Sequence, residues 1–152
     1  MSNIIKSLFV VLFVFGILIS NTAAAAAGDL FNDRGTIYFV NYLGQKRGFP
    51  SPEIFHAHGF QFSQARLATA ADLALPTGPV MGFPEGALVK SKNNPTVYVI
   101  SRGQKRAFTS ASSFLGSGYS FTHVINASSN NQIAAIPEGG VFTSVAGLTT
   151  GN

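Results

Sequence analysis

The chain has 152 residues, ten Lys and Arg against six Asp and Glu, a formal net charge of +4, no Cys, no Trp and 14 Phe. Without cysteine there is no disulfide framework, no thiol nucleophile and no acceptor for a lipid anchor. The basic balance reflects a shortage of acids, since no three Lys or Arg stand together; nucleic-acid binding therefore lacks its electrostatic footprint.

At the N-terminus Lys6 precedes an apolar run from Leu8 to Ile19, and the small residues Ala23 to Ala27 follow. That is the n, h and c order of a secretory signal peptide. The apolar core of about 12 residues falls short of the roughly 20 a spanning helix requires. The expectation is a signal peptide over 1–27, cleaved near Ala27-Gly28, leaving no transmembrane anchor. The destination is secreted, periplasmic or cell surface.

Two stretches then match in order. Gly28-Asp29-Leu30-Phe31 corresponds to Gly86-Ala87-Leu88-Val89, and Thr36-Ile37-Tyr38-Phe39-Val40 to Thr96-Val97-Tyr98-Val99-Ile100. Gly44-Gln45-Lys46-Arg47-Gly48-Phe49 corresponds to Gly103-Gln104-Lys105-Arg106-Ala107-Phe108. Phe55 then matches Phe114, Gly59-Phe60-Gln61-Phe62 matches Gly118-Tyr119-Ser120-Phe121, and Leu75-Pro76-Thr77-Gly78 matches Ile136-Pro137-Glu138-Gly139. The reading is repeat 1 over 28–85, repeat 2 over 86–146, and a truncated third start or tail over 147–152. Units this small bury little alone, so they are expected to pack through shared apolar faces and unfold together.

Each copy predicts the same elements. The β-branched and aromatic run ending in a glycine turn predicts a hairpin that returns through Lys46–Phe49 or Lys105–Phe108. Ser51-Pro52-Glu53 and Ser110 mark the start of a short helix that Gly59 or Gly118 ends. Thr69-Ala70-Ala71-Asp72 and Ser129-Asn130-Asn131-Gln132 resemble capping boxes for a second helix, which stops before Pro76 or Pro137. The fold class is α+β: two tandem pseudo-symmetric repeats, each a small antiparallel β-sheet with two short helices.

Gly86-Ala87-Leu88-Val89-Lys90, Pro95-Thr96-Val97-Tyr98-Val99, Gly103-Gln104-Lys105-Arg106-Ala107-Phe108 and Pro137-Glu138-Gly139 together resemble a tandem repeat of bacterial exported and cell-surface proteins. The first copy departs from it in carrying Gly35 where the proline would stand. The resemblance implies an extracytoplasmic module and implies no reaction.

Among polar features, Lys46-Arg47 and Lys105-Arg106 recur at one hairpin position, beside Tyr38 and Tyr98. They are candidate contacts for an anionic envelope polymer or polysaccharide. The plainer reading is that such cations keep exposed strand edges from pairing. His56 and His58, with Glu53 nearby, are a weak metal candidate, because positions i and i+2 of a helix face different sides. No matched acid pair, G-x-S-x-G elbow, phosphate loop or dinucleotide fingerprint is present, so no catalysis and no cofactor are expected. The sequence supports a non-enzymatic binding module first. A self-assembling surface-layer or fibre subunit, in which the start near Gly147 receives a neighbour's opening strand near Gly28, and a small exported enzyme inhibitor are the alternatives.

Overall fold

The computed structural model describes residues 23–143. The chain is mixed α+β, with two sheets of four and five strands and four short helices among the described residues. The expected third start near Gly147 and most of the expected signal peptide lie outside them.

The first half opens on β1 (Leu30–Asp33), followed by β2 (Thr36–Val40) and β3 (Lys46–Gly48). Arg34 (φ 49°) and Gly35 (φ 94°) make a two-residue turn between β1 and β2, with Asp33 opposite Thr36. Two consecutive positive φ angles give the turn a twist that matches the strands. Helix α1 (Pro52–Ala57) follows, then a 3-10 turn at Phe62–Gln64, strand β4 (Arg66–Leu67) and helix α2 (Ala70–Leu73). The sheet order is β3-β2-β1-β4.

The second half runs β5 (Leu88–Lys90), β6 (Val97–Ser101), β7 (Gln104–Ala107), α3 (Ala111–Gly116), a 3-10 turn at Phe121–His123, β8 (Ile125–Asn126), α4 (Asn130–Ala134) and β9 (Glu138–Val141). Its sheet order is β8-β5-β6-β7-β9. Here the tight turn with two positive φ angles, Arg102 (56°) and Gly103 (69°), sits between β6 and β7.

The predicted hairpins β2–β3 and β6–β7 are antiparallel, but the expectation of antiparallel sheets needs correction. Both sheets are mixed: β4 lies parallel to β1, β8 parallel to β5, and β9 parallel to β7. The helix and 3-10 turn carry the chain back to the starting end of the sheet, and a strand delivered by such a crossover enters parallel.

The predicted caps form in both halves. Ser51 and Ser110 accept from the backbone N–H groups of Ile54 and Ser113. Gly59 and Gly118 follow the helix ends with φ of 79° and 83°. Thr69 and Asp72 make a reciprocal capping box. The second box is corrected: Ser129 bonds Asn131 N–H instead, and Gln132 Oε1 is buried without a partner.

Buried side chains gather into three clusters. Phe31, Val40 and Ala25 form one at the N-terminal end, and Leu88, Val99, Phe108, Phe114 and Phe142 form another at the C-terminal end. Between them, Leu30, Ile37, Phe49, Ile54 and Phe55 of the first half join Val89, Ile100, Ala127 and Ile133 of the second in a single cluster. Met81 and Phe83, on the connecting segment, belong to it too. The two sheets thus share the middle of the core, with α1 lying against β8.

Candidate functional site

On β3 and β7, neighbouring residues point to opposite faces, so each Lys-Arg pair divides. The Lys46 ammonium donates to the carbonyl of Leu73, at the end of α2. Lys105, 6% exposed, donates to Ile133 O at 2.9 Å near the end of α4. It also pairs with Glu138 at 2.9 Å and lies 5.7 Å from the Tyr98 ring centre. A cation at a helix C-terminus satisfies carbonyls that the helix leaves open. On the other face Arg47 donates to Pro79 O (2.7 Å) and Val80 O (3.1 Å), and Arg106 to Gly139 O (2.6 Å). Tyr38 stacks on Phe31 with ring centres 5.3 Å apart. All four cations therefore hold a later segment of the chain against the hairpin. Arg47 additionally borders an open groove of 700 Å³ with Tyr42, Leu43 and Pro79.

The two imidazoles are each committed to the backbone. His56 Nδ1 lies 3.0 Å from Phe60 O, and His58 Nε2 lies 2.9 Å from Gly82 O. Among the described residues no group of three or more His, Asp or Glu could hold a metal ion.

Sequence reasoning did not find a pair of clefts, each between a hairpin and the helix that follows it. One, of 230 Å³, is lined by Thr36, Ile37, Phe49, Ser51, Phe55 and Phe62, among others. The other, of 290 Å³, is lined by Thr96, Val97, Phe108, Ser110, Phe114 and Phe121 in the same way. These are matched positions in the alignment of the two halves. Phe49 meets Phe55 edge-on at 5.1 Å, and Phe108 meets Phe114 at 5.0 Å. The rim residues Phe62 and Phe121 remain 53% and 50% exposed. Neither cleft is lined by a charged side chain. The signal was present in the sequence as repeated Phe and Ser positions, but aromatic repeats read equally well as core.

Asp72, read from the sequence only as a capping residue, has no exposed surface. It receives Arg66 through two bonds of 2.5 and 2.8 Å, the N–H and hydroxyl of Thr69, and the N–H of Ala25 at 2.6 Å. The Arg66 guanidinium, assisted by Thr69 and Ala25, holds this carboxyl well below the usual carboxylate range against the opposing effect of burial.

Comparison with known proteins finds no matching family model, no matching curated protein and no matching solved structure.

Proposed function

We propose that the chain is an exported, non-enzymatic binding module made of two tandem pseudo-symmetric copies of one α+β unit, each presenting the same uncharged cleft to one sugar of an extracellular or envelope polysaccharide. The observation that carries this reading is the recurrence of a concave, aromatic-floored site at matched positions in both halves. A cleft without charge favours an uncharged surface, and a half-exposed Phe beside Ser and Thr hydroxyls suits the C–H face and hydroxyl rim of a pyranose. Two such sites on one body gain from a repetitive polymer, because the second contact forms at high effective concentration. The basic hairpins play a supporting part here, since each of the four cations already donates to an intramolecular carbonyl; an anionic polymer would meet Arg47 at its groove.

The self-assembling alternative is disfavoured by the residues at the two ends. Where the halves meet, Ile54, Ile125 and Ile133 join the central cluster. At the outer ends Ser113 and Arg66 stand in the places of Ile54 and Ile125, and polar outer faces are how stacked units terminate.

The test is binding of the exported protein to neutral and anionic envelope glycans by titration calorimetry. Phe62→Ala and Phe121→Ala are each expected to weaken binding to neutral polymer about tenfold, and the double variant to abolish the avidity. Loss of binding on replacing Lys46, Arg47, Lys105 and Arg106 by Ser, with both Phe variants unaffected, would transfer the site to the basic hairpins.

A further inference from the structure

Ala25 belongs to the small-residue stretch that a leader peptidase reads, yet it is part of the folded body. It is 8% exposed and packs against Phe31 and Val40. Its backbone nitrogen lies 2.6 Å from Oδ1 of Asp72, the carboxylate with no exposed surface. Ala23 and Ala24, immediately before it, are exposed. The chain thus emerges from the protein at the Ala24–Ala25 bond.

The second half shows what Ala25 replaces. Gly28 N–H bonds Val40 O at 2.8 Å, and Gly86 N–H bonds Ile100 O at 2.8 Å. Asp29 N–H bonds Ala26 O at 3.0 Å, and Ala87 N–H bonds Pro84 O at 3.1 Å. Counting back from these matched glycines, Ala25 stands where Phe83 stands, and Phe83 is a buried member of the central cluster. The structural unit therefore opens at Ala25 in the first half as it opens at Phe83 in the second, ahead of the Gly28 boundary that the sequence marked.

We infer that maturation cuts the Ala24–Ala25 bond, so that Ala25 becomes the first residue and its α-ammonium forms an ion pair with Asp72. This inference rests on the exported reading of the chain. Thr22 and Ala24 supply the small residues that a leader peptidase needs three and one positions before the cut. Hydrolysis adds water across the bond: the hydroxyl goes to the Ala24 carbonyl carbon and a hydrogen to the Ala25 nitrogen. That amine then takes a proton from solvent and becomes the ammonium. In place of one neutral N–H, Asp72 gains a second cation beside Arg66, and a charge-assisted bond is stronger than the amide bond it succeeds. Cuts after Ala25 or Ala27 would instead delete this donor and empty its place beside Phe31 and Val40.

The experiment expresses the full chain, with its own leader and a C-terminal tag, in an exporting bacterial host. Intact mass and N-terminal sequencing then identify the first residue of the exported protein. A start at Ala25 is expected. A start at Ala26, Ala27 or Gly28 overturns the inference, and so does a start at Ala23 or Ala24, which leaves the Ala25 nitrogen an amide. Full-length protein retained in the cytoplasm overturns the exported reading itself, which separates the two failures. A second readout titrates the α-amino group, isotopically dimethylated, by NMR. Its midpoint is expected about one unit above the ordinary 7.7–8.0 and to return to that range in Asp72→Asn. If that variant does not fold, the wild-type titration decides, and an ordinary midpoint overturns the pairing.

Discussion

Asp72 concentrates more hydrogen bonds than any polar group in the candidate site, and all its donors must arrive together for a buried carboxylate to remain charged. Asp72→Asn keeps the volume but breaks the pair with Arg66, whose exposed side water can still reach, and it is expected to lower unfolding free energy by about 1–3 kcal/mol in urea titration. Because the folded state depresses this carboxyl from the ordinary 3.8, its stabilising contribution is complete above that value and is lost as pH falls below it. Wild-type denaturation midpoints should therefore drop steeply below about pH 4, and the Asn variant should show a shallower dependence over the same range. Lys105 makes the same point for a cation. Lys105→Met is expected to cost about 1–2 kcal/mol, because the Ile133 carbonyl loses its donor and Glu138 its partner. The half-buried Lys46 should cost less when changed in the same way, since water can reach its carbonyl.

Among the elements, the helices are only four to six residues long, so intrinsic propensity cannot hold them and their ends decide their stability. Ser110→Ala removes the N-terminal side-chain cap of α3 and is expected to cost about 1 kcal/mol. Strand β9 owes its close docking to a missing side chain. A Cβ at Gly139 would stand 2.9 Å from Gln104 Cβ and 3.0 Å from Arg106 Cγ, so β9 could not keep its distance from β7. Gly139→Ala is expected to cost about 1–3 kcal/mol by thermal or chemical denaturation. Gly82→Ala, where nothing lies within 4 Å, is the neutral control. The caps and glycine stops of α1 and α3 were legible because each depends on residues within one turn of the helix. The parallel strands β4, β8 and β9 were not, because β4 and β8 have two residues each and β9 carries two glycines at its centre, so none has a periodicity of its own and each is recognised only by what it pairs with.

Across the whole molecule, the shared central cluster makes each half part of the other's core. A single cooperative unfolding transition is expected, and Ile54→Asp, made in α1, should destabilise both sheets alike in hydrogen exchange. The polar ends give a further expectation: the protein stays monomeric in concentration-dependent light scattering. A dimer populated at micromolar concentration would show that Ser113 and Arg66 do not close the ends.

What the sequence determined by itself were the features written in neighbouring residues: the hairpin turns, the helix starts and stops, and the sparse charge. These survive because a cap or a turn is settled over three or four positions whatever the rest of the chain does. The tertiary structure alone decided where the side chains of those elements went. Lys46 and Arg47 read as one basic patch until the strand sent them to opposite faces, each to a carbonyl more than 25 residues away. Asp72 read as a local cap until folding brought Ala25 to it across 47 residues. The repeated Phe positions read as packing until two hairpins and two helices left a cleft between them. In each case the partner is distant along the chain, and only the path of the backbone sets which groups share a site and which are parted.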